Sequence, residues 1–389
     1  MRIGNVNHPN VNPAQYQEMT RLVEGMLGGD RIARLHLMEH FTTGDSSIYA
    51  LAALTNAQVI QNYEKASQER QWNKIAQVES VDDFETPRLY TFEADENKAT
   101  GYSRKGKNGK ADNPAHIPPV VPEGTTYPTF NLKAERLTSE FDFLPKRGGR
   151  YSMSWERFIK DPDNIIARLP QLFTEQFLDA EDWEVWSTLR SVIDTKGSIV
   201  NFAGGTTAVF GTTVPAKAKI SRDALEVALR AMKTREYKGV PMNLTQFKLI
   251  VPLGAADGIR QALALWTPTG IKTDPTSGVE YSLSNPEPWN PLSSFSEIIE
   301  TEYFTGDEWA IIVAPGTDRR PGLQLLKLRG HETPDIRIKG DQGFRPGGGS
   351  VGVFEGSFDT DDIEIRGRLP IQGVSWTAEH VLYSDGTGV

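Results

Sequence analysis

The chain has 389 residues, of which 38% are apolar and 24% charged, an ordinary balance for a globular protein that excludes a wholly disordered chain. It contains no cysteine, which excludes disulfides, thiolate metal sites and a cysteine nucleophile. The net charge of −9 argues against a protein that grips nucleic acid through a basic face, although a protein that only encloses DNA stays possible.

The first 70 residues predict two helices. One covers about residues 13–27, with a proline at its start and glycines just beyond its end. The other runs from Ser47 into the sixties, with apolar residues at roughly helical spacing. The N-terminus has no apolar stretch of the secretory type and no run is long enough to span a bilayer, so we expect a cytoplasmically made protein without a membrane contact.

Residues 84–151 have a different texture, because strand-like runs flank a long polar stretch. Runs at 87–93, 129–134 and 139–144 alternate as strands do, whereas 101–113 is dense in glycine, lysine and asparagine. A connection of this length inside a compact domain indicates a functional excursion from the body. Its tip carries four cations that are candidates for contact with a neighbouring subunit: Arg104, Lys105, Lys107 and Lys110.

The strongest helical pattern in the chain covers residues 163–193. Asp161 supplies an N-cap and Pro162 suits the first turn. Apolar residues recur every three or four positions, and a helix of this length spans roughly 46 Å. Pro170 should kink this helix or mark a late start. The apolar face is predicted to comprise Ile166, Leu169, Phe173, Phe177, Ala180, Trp183, Trp186 and Ile193.

The second half of the chain mixes helices and strands. Ser221 caps a predicted helix with Gly239 as its stop signal, 247–251 is a predicted strand, and 254–265 is another helix. Helices early and strands late predict the α+β class. Further strands are predicted at 309–314, 322–328, 336–339, 363–368 and 374–381.

Three segments spell catalytic motifs without the context that those motifs need. His36, Glu39 and His40 form H-x-x-E-H, but no third zinc ligand is evident. Ser350 lies in G-x-S-x-G, but the residues after it are broken by glycine and read as a strand, where a nucleophile elbow needs a helix. Residues 101–108 nearly form a P-loop with asparagine in the Ser/Thr position. We therefore predict no enzyme, and no catalytic residue, metal or cofactor site.

Several short stretches, in this order along the chain, resemble the major capsid protein of tailed phages, which has the Hong Kong 97-like fold. Tyr63, Trp72 and Val81-Asp-Asp-Phe84 are similar to the start of the extended loop in Mu-type head proteins. Residues 122–128 are similar to the returning strand of that loop, and 151–154 to the lead into its long helix. Residues 358–373 resemble the late strand pair of the family. The resemblance covers roughly residues 46–389.

The resemblance implies a division of the chain into the regions of that fold. Residues 1–45 would be an N-terminal arm, and 84–151 the extended E-loop lying over a neighbouring subunit. The P-domain would comprise 46–83 and 152–199, with the spine helix at 163–193. Residues 200–340 would form the A-domain, and 341–389 a C-terminal β segment shared between the P- and A-domains.

The same resemblance implies self-assembly into pentamers and hexamers of an icosahedral head in the virion. The head would be assembled in the host cytoplasm and would enclose double-stranded DNA without sequence-specific binding. The expected partners are a separate scaffolding protein, because only some forty residues precede the match, a portal and decoration proteins. Two alternatives stay open: an encapsulin-like compartment shell, and a hydrolase that uses Ser350 or a zinc site at His36 and His40.

Overall fold

A computed structural model of the chain describes thirteen ranges and a few isolated positions near them. The predicted N-terminal arm at 1–45, with its helix at 13–27, lies outside the described residues apart from Arg21. No helix in the described part is both long and apolar enough to cross a membrane. The ranges are 62–85, 88–94, 130–136, 143–160, 165–205, 213–237, 240–242, 244–264, 271–273, 280–282, 294–318, 321–347 and 355–388.

Helices and strands are interspersed along these ranges, as expected for the α+β class. The helices are α1 (Trp155–Lys160), α2 (Ile165–Thr195), α3 (Gly197–Val200), α4 (Arg222–Lys233) and α5 (Ala256–Ala264). The strands are β1 (Gln77–Val81), β2 (Arg88–Ala94), β3 (Phe130–Arg136), β4 (Lys146–Ser154), β5 (Glu236–Tyr237), β6 (Val240–Pro241), β7 (Phe247–Pro252), β8 (Ile271–Thr273), β9 (Glu280–Ser282), β10 (Phe295–Thr301), β11 (Trp309–Val313), β12 (Leu323–Leu328), β13 (Asp335–Ile338), β14 (Asp362–Ser375) and β15 (Val381–Ser384).

The 31-residue helix α2 confirms the long helix predicted at 163–193. It buries Phe173, Phe177, Trp186 and Leu189 against the core, as their helical spacing predicts. The prediction that Trp183 lies on the same apolar face is wrong: this side chain is 54% exposed, because the buried stripe passes through Val185, Trp186 and Leu189. The helix begins before Pro170, so that residue does not mark its start.

Beneath α2 lies a five-stranded sheet in which β14 is the central element. The main order is β1-β12-β14-β13, and β4 also pairs with β14. Residues 362–370 of β14 pair antiparallel with β4, and residues 371–375 pair antiparallel with β12. One 14-residue strand therefore joins β4, β12 and β13 into a single sheet.

Two glycines of β14 allow α2 to lie directly on this sheet. A Cβ atom on Gly367 would lie 2.8 Å from the ring of Phe177. A Cβ atom on Gly373 would overlap the carbonyl oxygen of Glu184 and the hydroxyl of Thr188. Because each glycine presents only backbone to the helix, α2 and β14 approach more closely than any side chain would permit.

A second sheet, of four strands in the order β10-β7-β11-β15, packs against α4 and part of α2. Strand β11 is buried along its whole length, and α4 buries Leu225, Ala228, Leu229 and Met232. The predicted cap is confirmed, since the Ser221 hydroxyl oxygen accepts a hydrogen bond of 3.1 Å from the Ala224 amide.

Two predicted boundaries of secondary-structure elements are wrong. Helix α4 ends at Lys233 and not near Gly239, because 236–241 form the short antiparallel pair β5–β6. The strand predicted at 374–381 is divided: β14 ends at Ser375, a 3-10 turn covers 378–380, and β15 follows in the other sheet. Strands β12 and β13 fall within the predicted A-domain at 200–340, yet they pair in the sheet beneath α2.

Candidate assembly surfaces

The side chains proposed as functional from the sequence lie outside the described residues. This holds for the tip cations Arg104, Lys105, Lys107 and Lys110, and for His36, His40 and Ser350 of the two catalytic-like motifs. Within the described ranges, no group of three His, Asp or Glu side chains could hold a metal ion. The described residues include two strands of the predicted loop and the long helix α2, and these elements form the candidate surfaces.

Strands β2 and β3 form a ribbon at the centre of the predicted E-loop. They pair antiparallel over seven residues each, from Arg88 opposite Arg136 to Ala94 opposite Phe130. The described strands give them no partner other than each other. At the base of the loop, the Leu144 amide donates to the Phe84 carbonyl over 2.7 Å, and the Lys146 ammonium lies 4.9 Å from the ring centroid of Phe84. The two ends of the predicted loop thus meet at its base.

A buried ionic cluster fastens the segment before the first strand to α2 and β12. The ammonium of Lys327 lies 2.5 Å from a carboxylate oxygen of Glu181, and both residues are almost completely buried. The Tyr63 hydroxyl donates to the same carboxylate, and Ser67 donates to its other oxygen over 3.0 Å. Burial, and then the charge of Glu181, raises the pKa of Tyr63, so its phenol stays protonated as a donor.

An acidic surface lies next to this cluster; we define it by Asp179 and Asp182 of α2 and by Glu302, which follows β10. Arg70 is bonded to both aspartates, at 3.1 Å from Asp179 and 2.8 Å from Asp182. Burial is the main cause that raises the pKa of Asp182 to about 6, and the neighbouring Asp179 and Glu181 charges add to it. With three carboxylates and one paired arginine, this surface carries an excess of negative charge once Asp182 is ionised.

Aromatic side chains border the acidic surface. Trp186 stacks on Tyr303 with ring centroids 5.5 Å apart, and the exposed Trp183 lies 6.4 Å from the same ring. The two tryptophans, Tyr303 and Arg190 line a cleft of about 650 Å³ along α2. Exposed indole and carboxylate groups side by side suit a cationic side chain, through charge and through contact with the ring face.

The far end of α2 is joined to the second sheet by a charged network. Arg190 donates to Glu308 over 2.9 Å, and the Tyr383 hydroxyl donates to the same carboxylate over 2.5 Å. Burial by itself would raise the pKa of Glu308, but the hydrogen bonds from Tyr383, the Thr305 amide and Arg190 together lower it. Arg235 donates to the carbonyls of Glu379 and Val381, which fixes the connection between β14 and β15.

The sequence patterns predicted strands β2 and β3 and the helix α2 but not the acidic surface. Asp179 and Trp183 are one helical turn apart, which is a local signal. Glu302 and Tyr303 follow β10, more than a hundred residues later, and only tertiary packing brings them to the helix.

Comparison with known proteins gives a family match and distant structural likenesses. The family described as phage capsid protein matches residues 143–378, more than half of the chain. No curated protein sequence matches significantly.

Solved structures with a similar arrangement include the virus-like particle from Pyrococcus furiosus, at 11% identity and a TM-score of 0.36, covering 84% of this chain and 98% of that one. Mycobacterium phage Patience gives 12% identity and a TM-score of 0.40, with 86% and 87% covered. The capsid of Myoviridae phage XM1 gives 12% and 0.38, with 79% and 88% covered. At such TM-scores the family assignment rests on the sequence match alone.

Proposed function

The chain belongs to the phage capsid protein family, and from that membership we propose how its copies build a shell. It is a major capsid subunit, a structural protein of the phage head, and the family match confirms the resemblance to Hong Kong 97-like head proteins. We propose that each copy contributes a body, made of the two sheets and α2, and an E-loop arm that reaches a neighbouring copy. We further propose that it has no catalytic role.

The β2–β3 ribbon is the observation that carries this proposal. A two-stranded ribbon is at best marginally stable alone in water, because it buries little apolar surface. The described strands offer it no third strand. A neighbouring copy would supply the missing contact surface, and the ribbon would then stabilise the shell and be stabilised by it.

The tip of the loop is basic, so the arm should favour an acidic contact surface. Four of the seven residues from Arg104 to Lys110 are cationic. We propose that they contact the acidic surface of Asp179, Asp182 and Glu302 on the next copy, with Trp183 as an aromatic neighbour. Charge complementarity supports this pairing, since the acidic surface has three carboxylates and only Arg70 paired with two of them.

The remaining partners follow from the family and the charge. We propose that the head encloses double-stranded DNA without sequence-specific binding, because a net charge of −9 gives the chain no overall attraction for DNA phosphates. A separate scaffolding protein, a portal and possible decoration proteins would be partners during assembly in the host cytoplasm.

Electron microscopy of the purified, concentrated chain tests the function, with and without proteins co-expressed from neighbouring genes. Closed particles tens of nanometres across, or rings of five and six subunits, are expected. Nuclease-protected double-stranded DNA in particles from infected cells would distinguish a phage head from an encapsulin-like compartment. A monomer under every condition would contradict the proposal.

Charge reversal tests the tip contact. The double change Lys105→Glu and Lys107→Glu should lower the yield of particles, and so should Asp179→Lys, while combining all three should recover part of the yield. Lys233→Glu, at an exposed lysine of α4, is the control and should assemble normally. Reversal variants that assemble like the wild type at low salt would exclude this contact.

A further inference from the structure

The connection between β13 and β14 carries two exposed phenylalanines among its described residues. Phe344 is 93% exposed and Phe358 is 79% exposed. A single exposed apolar side chain is common on protein surfaces. Here two exposed phenylalanines lie on stretches of backbone that contact each other, since the Phe358 ring lies beside Gly343, the residue before Phe344, and this favours a contact. We call this surface the aromatic patch and define it by Phe344 and Phe358.

Contacts between described residues hold the two ends of this connection, 339–347 and 355–361, against each other. The Phe358 amide donates to the Asp341 carbonyl over 3.2 Å, and Arg345 bonds Glu355 over 2.6 Å across the loop. Gly343 has a φ of +77°, and an added Cβ there would lie 2.9 Å from the Phe358 ring. The glycine therefore brings the backbone beneath that ring and fixes it in place.

The charges beside the aromatic patch have both signs. Arg345 pairs with Glu355, and Lys339 pairs with Asp341 over 2.6 Å and with Glu364 over 3.2 Å. A surface of one sign would favour a partner of the opposite sign and repel a second copy. A surface with both signs can meet itself, since a rotation between two copies can place each cation opposite an anion.

We propose that the aromatic patch contacts the same patch on one or more further copies of this chain in the assembled shell. The proposal rests on the proposed function, which brings many copies together. Phenylalanine rings from neighbouring copies would pack edge to face at the centre, with the charged pairs at the rim.

The size of the patch determines how it acts. A phenylalanine buries at most about 150–250 Å², so two rings contribute at most roughly 300–500 Å² per copy. A stable pair of proteins needs about 800 Å² on each side. The aromatic patch is therefore too small to hold two free subunits together, and it acts only where other contacts already position the copies.

A crosslinking experiment tests this directly, because the chain contains no cysteine. Phe344→Cys introduces a unique thiol, and a short bismaleimide reagent is added to assembled particles and to unassembled subunits. Covalent dimers are expected from particles and not from subunits. Leu253→Cys, at a residue that is 64% exposed in the turn after β7, is the matched control and should give none.

A second variant measures the contribution of the rings. Phe344→Ala with Phe358→Ala should leave the unfolding midpoint of the subunit unchanged, because both rings are largely exposed. The concentration needed for assembly should rise by about tenfold or more, the scale of an interface hot spot. Particles that form normally without homotypic crosslinks at position 344 would overturn this inference and leave the proposed function intact. Failure of the wild-type chain to form particles would instead contradict the proposed function.

Discussion

At the scale of single residues, Gly373 shows how the close packing of α2 on β14 depends on a residue without a side chain. The backbone of β14 touches the Glu184 carbonyl and the Thr188 hydroxyl of α2 at this position. Any larger residue would have to push the helix away from the sheet, and the helix is held at that point by the ion pair of Arg147 with Glu184.

Gly373→Ala should therefore destabilise the subunit by about 1–3 kcal/mol, the usual cost of overpacking a core. Urea denaturation of unassembled subunits measures the change. Gly258→Ala is the matched control: Gly258 lies in α5 with open space around its Cβ direction, so alanine should stabilise by up to about 1 kcal/mol. Equal effects of the two substitutions would contradict the proposed close packing.

Asp182 should make the subunit less stable as the pH rises from about 4 to 6. Its pKa of about 6 in the folded chain lies above its ordinary value of 3.8, so the folded state keeps a proton that the unfolded state has released. The unfolding free energy therefore falls as the pH rises through this window and is highest below it.

The substitution Asp182→Asn removes this titration. Relative to the wild type, its stability should increase by about 1–3 kcal/mol between pH 4 and pH 7, since one pKa unit corresponds to about 1.4 kcal/mol. Denaturation at both pH values measures it. Asp257→Asn, at a carboxylate that is 95% exposed on α5, should show no such change. A pH-independent difference between Asp182→Asn and the wild type would refute the assignment.

At the scale of elements, the periodic patterns predicted what each segment forms but not what it pairs with. The 3- and 4-residue spacing gave α2, and Ser221 gave the start of α4, because these signals are local. Strands β11 and β12 are both buried along their whole length, so nothing in their sequences tells which sheet each joins. Their partners are set by contacts with β7 and β14, which lie far away in the chain.

Hydrogen exchange should reveal how the β2–β3 ribbon depends on assembly. In unassembled subunits, amides of 88–94 and 130–136 should exchange rapidly, because the ribbon has no third strand among the described residues. In particles, their protection should rise by roughly 10- to 100-fold, about 1.4–2.7 kcal/mol. Amides of the buried strand β11 serve as the internal control and should be protected in both states. Full protection of the ribbon in free subunits would contradict the proposed role of the neighbouring copy.

At the scale of the whole molecule, the order of elements identified the family before any contact was known. The order of elements stays the same although α4 ends several residues earlier than predicted and one predicted strand is divided between β14 and β15. The candidate contact surfaces could not be predicted in the same way. The residues of the acidic surface are distant in sequence and meet only in the folded chain. Those of the aromatic patch are recognised by their exposure, which also depends on the fold.

The overall charge makes a prediction about the contents of the shell. With a net charge of −9, free subunits should bind a short DNA duplex only weakly. Fluorescence anisotropy at about 150 mM salt should show no saturation below roughly 10⁻⁴ M, the weak limit of non-specific binding. Replacing the duplex sequence should make no difference. Micromolar or sequence-dependent binding would show a dedicated DNA site and contradict passive enclosure.

The length of β14 has a mechanical consequence. A closed shell that is filled from within is stretched in its own plane, and the tension passes through each subunit from one neighbour to the next. A strand pulled along its axis loses its ladder of hydrogen bonds all at once, whereas a strand peeled from one end loses them one by one. Strand β14 pairs with β4 along 362–370 and with β12 along 371–375. A pull along its axis would therefore load the hydrogen bonds of both pairings at the same time. Helix α2 packs directly against this strand at Gly367 and Gly373.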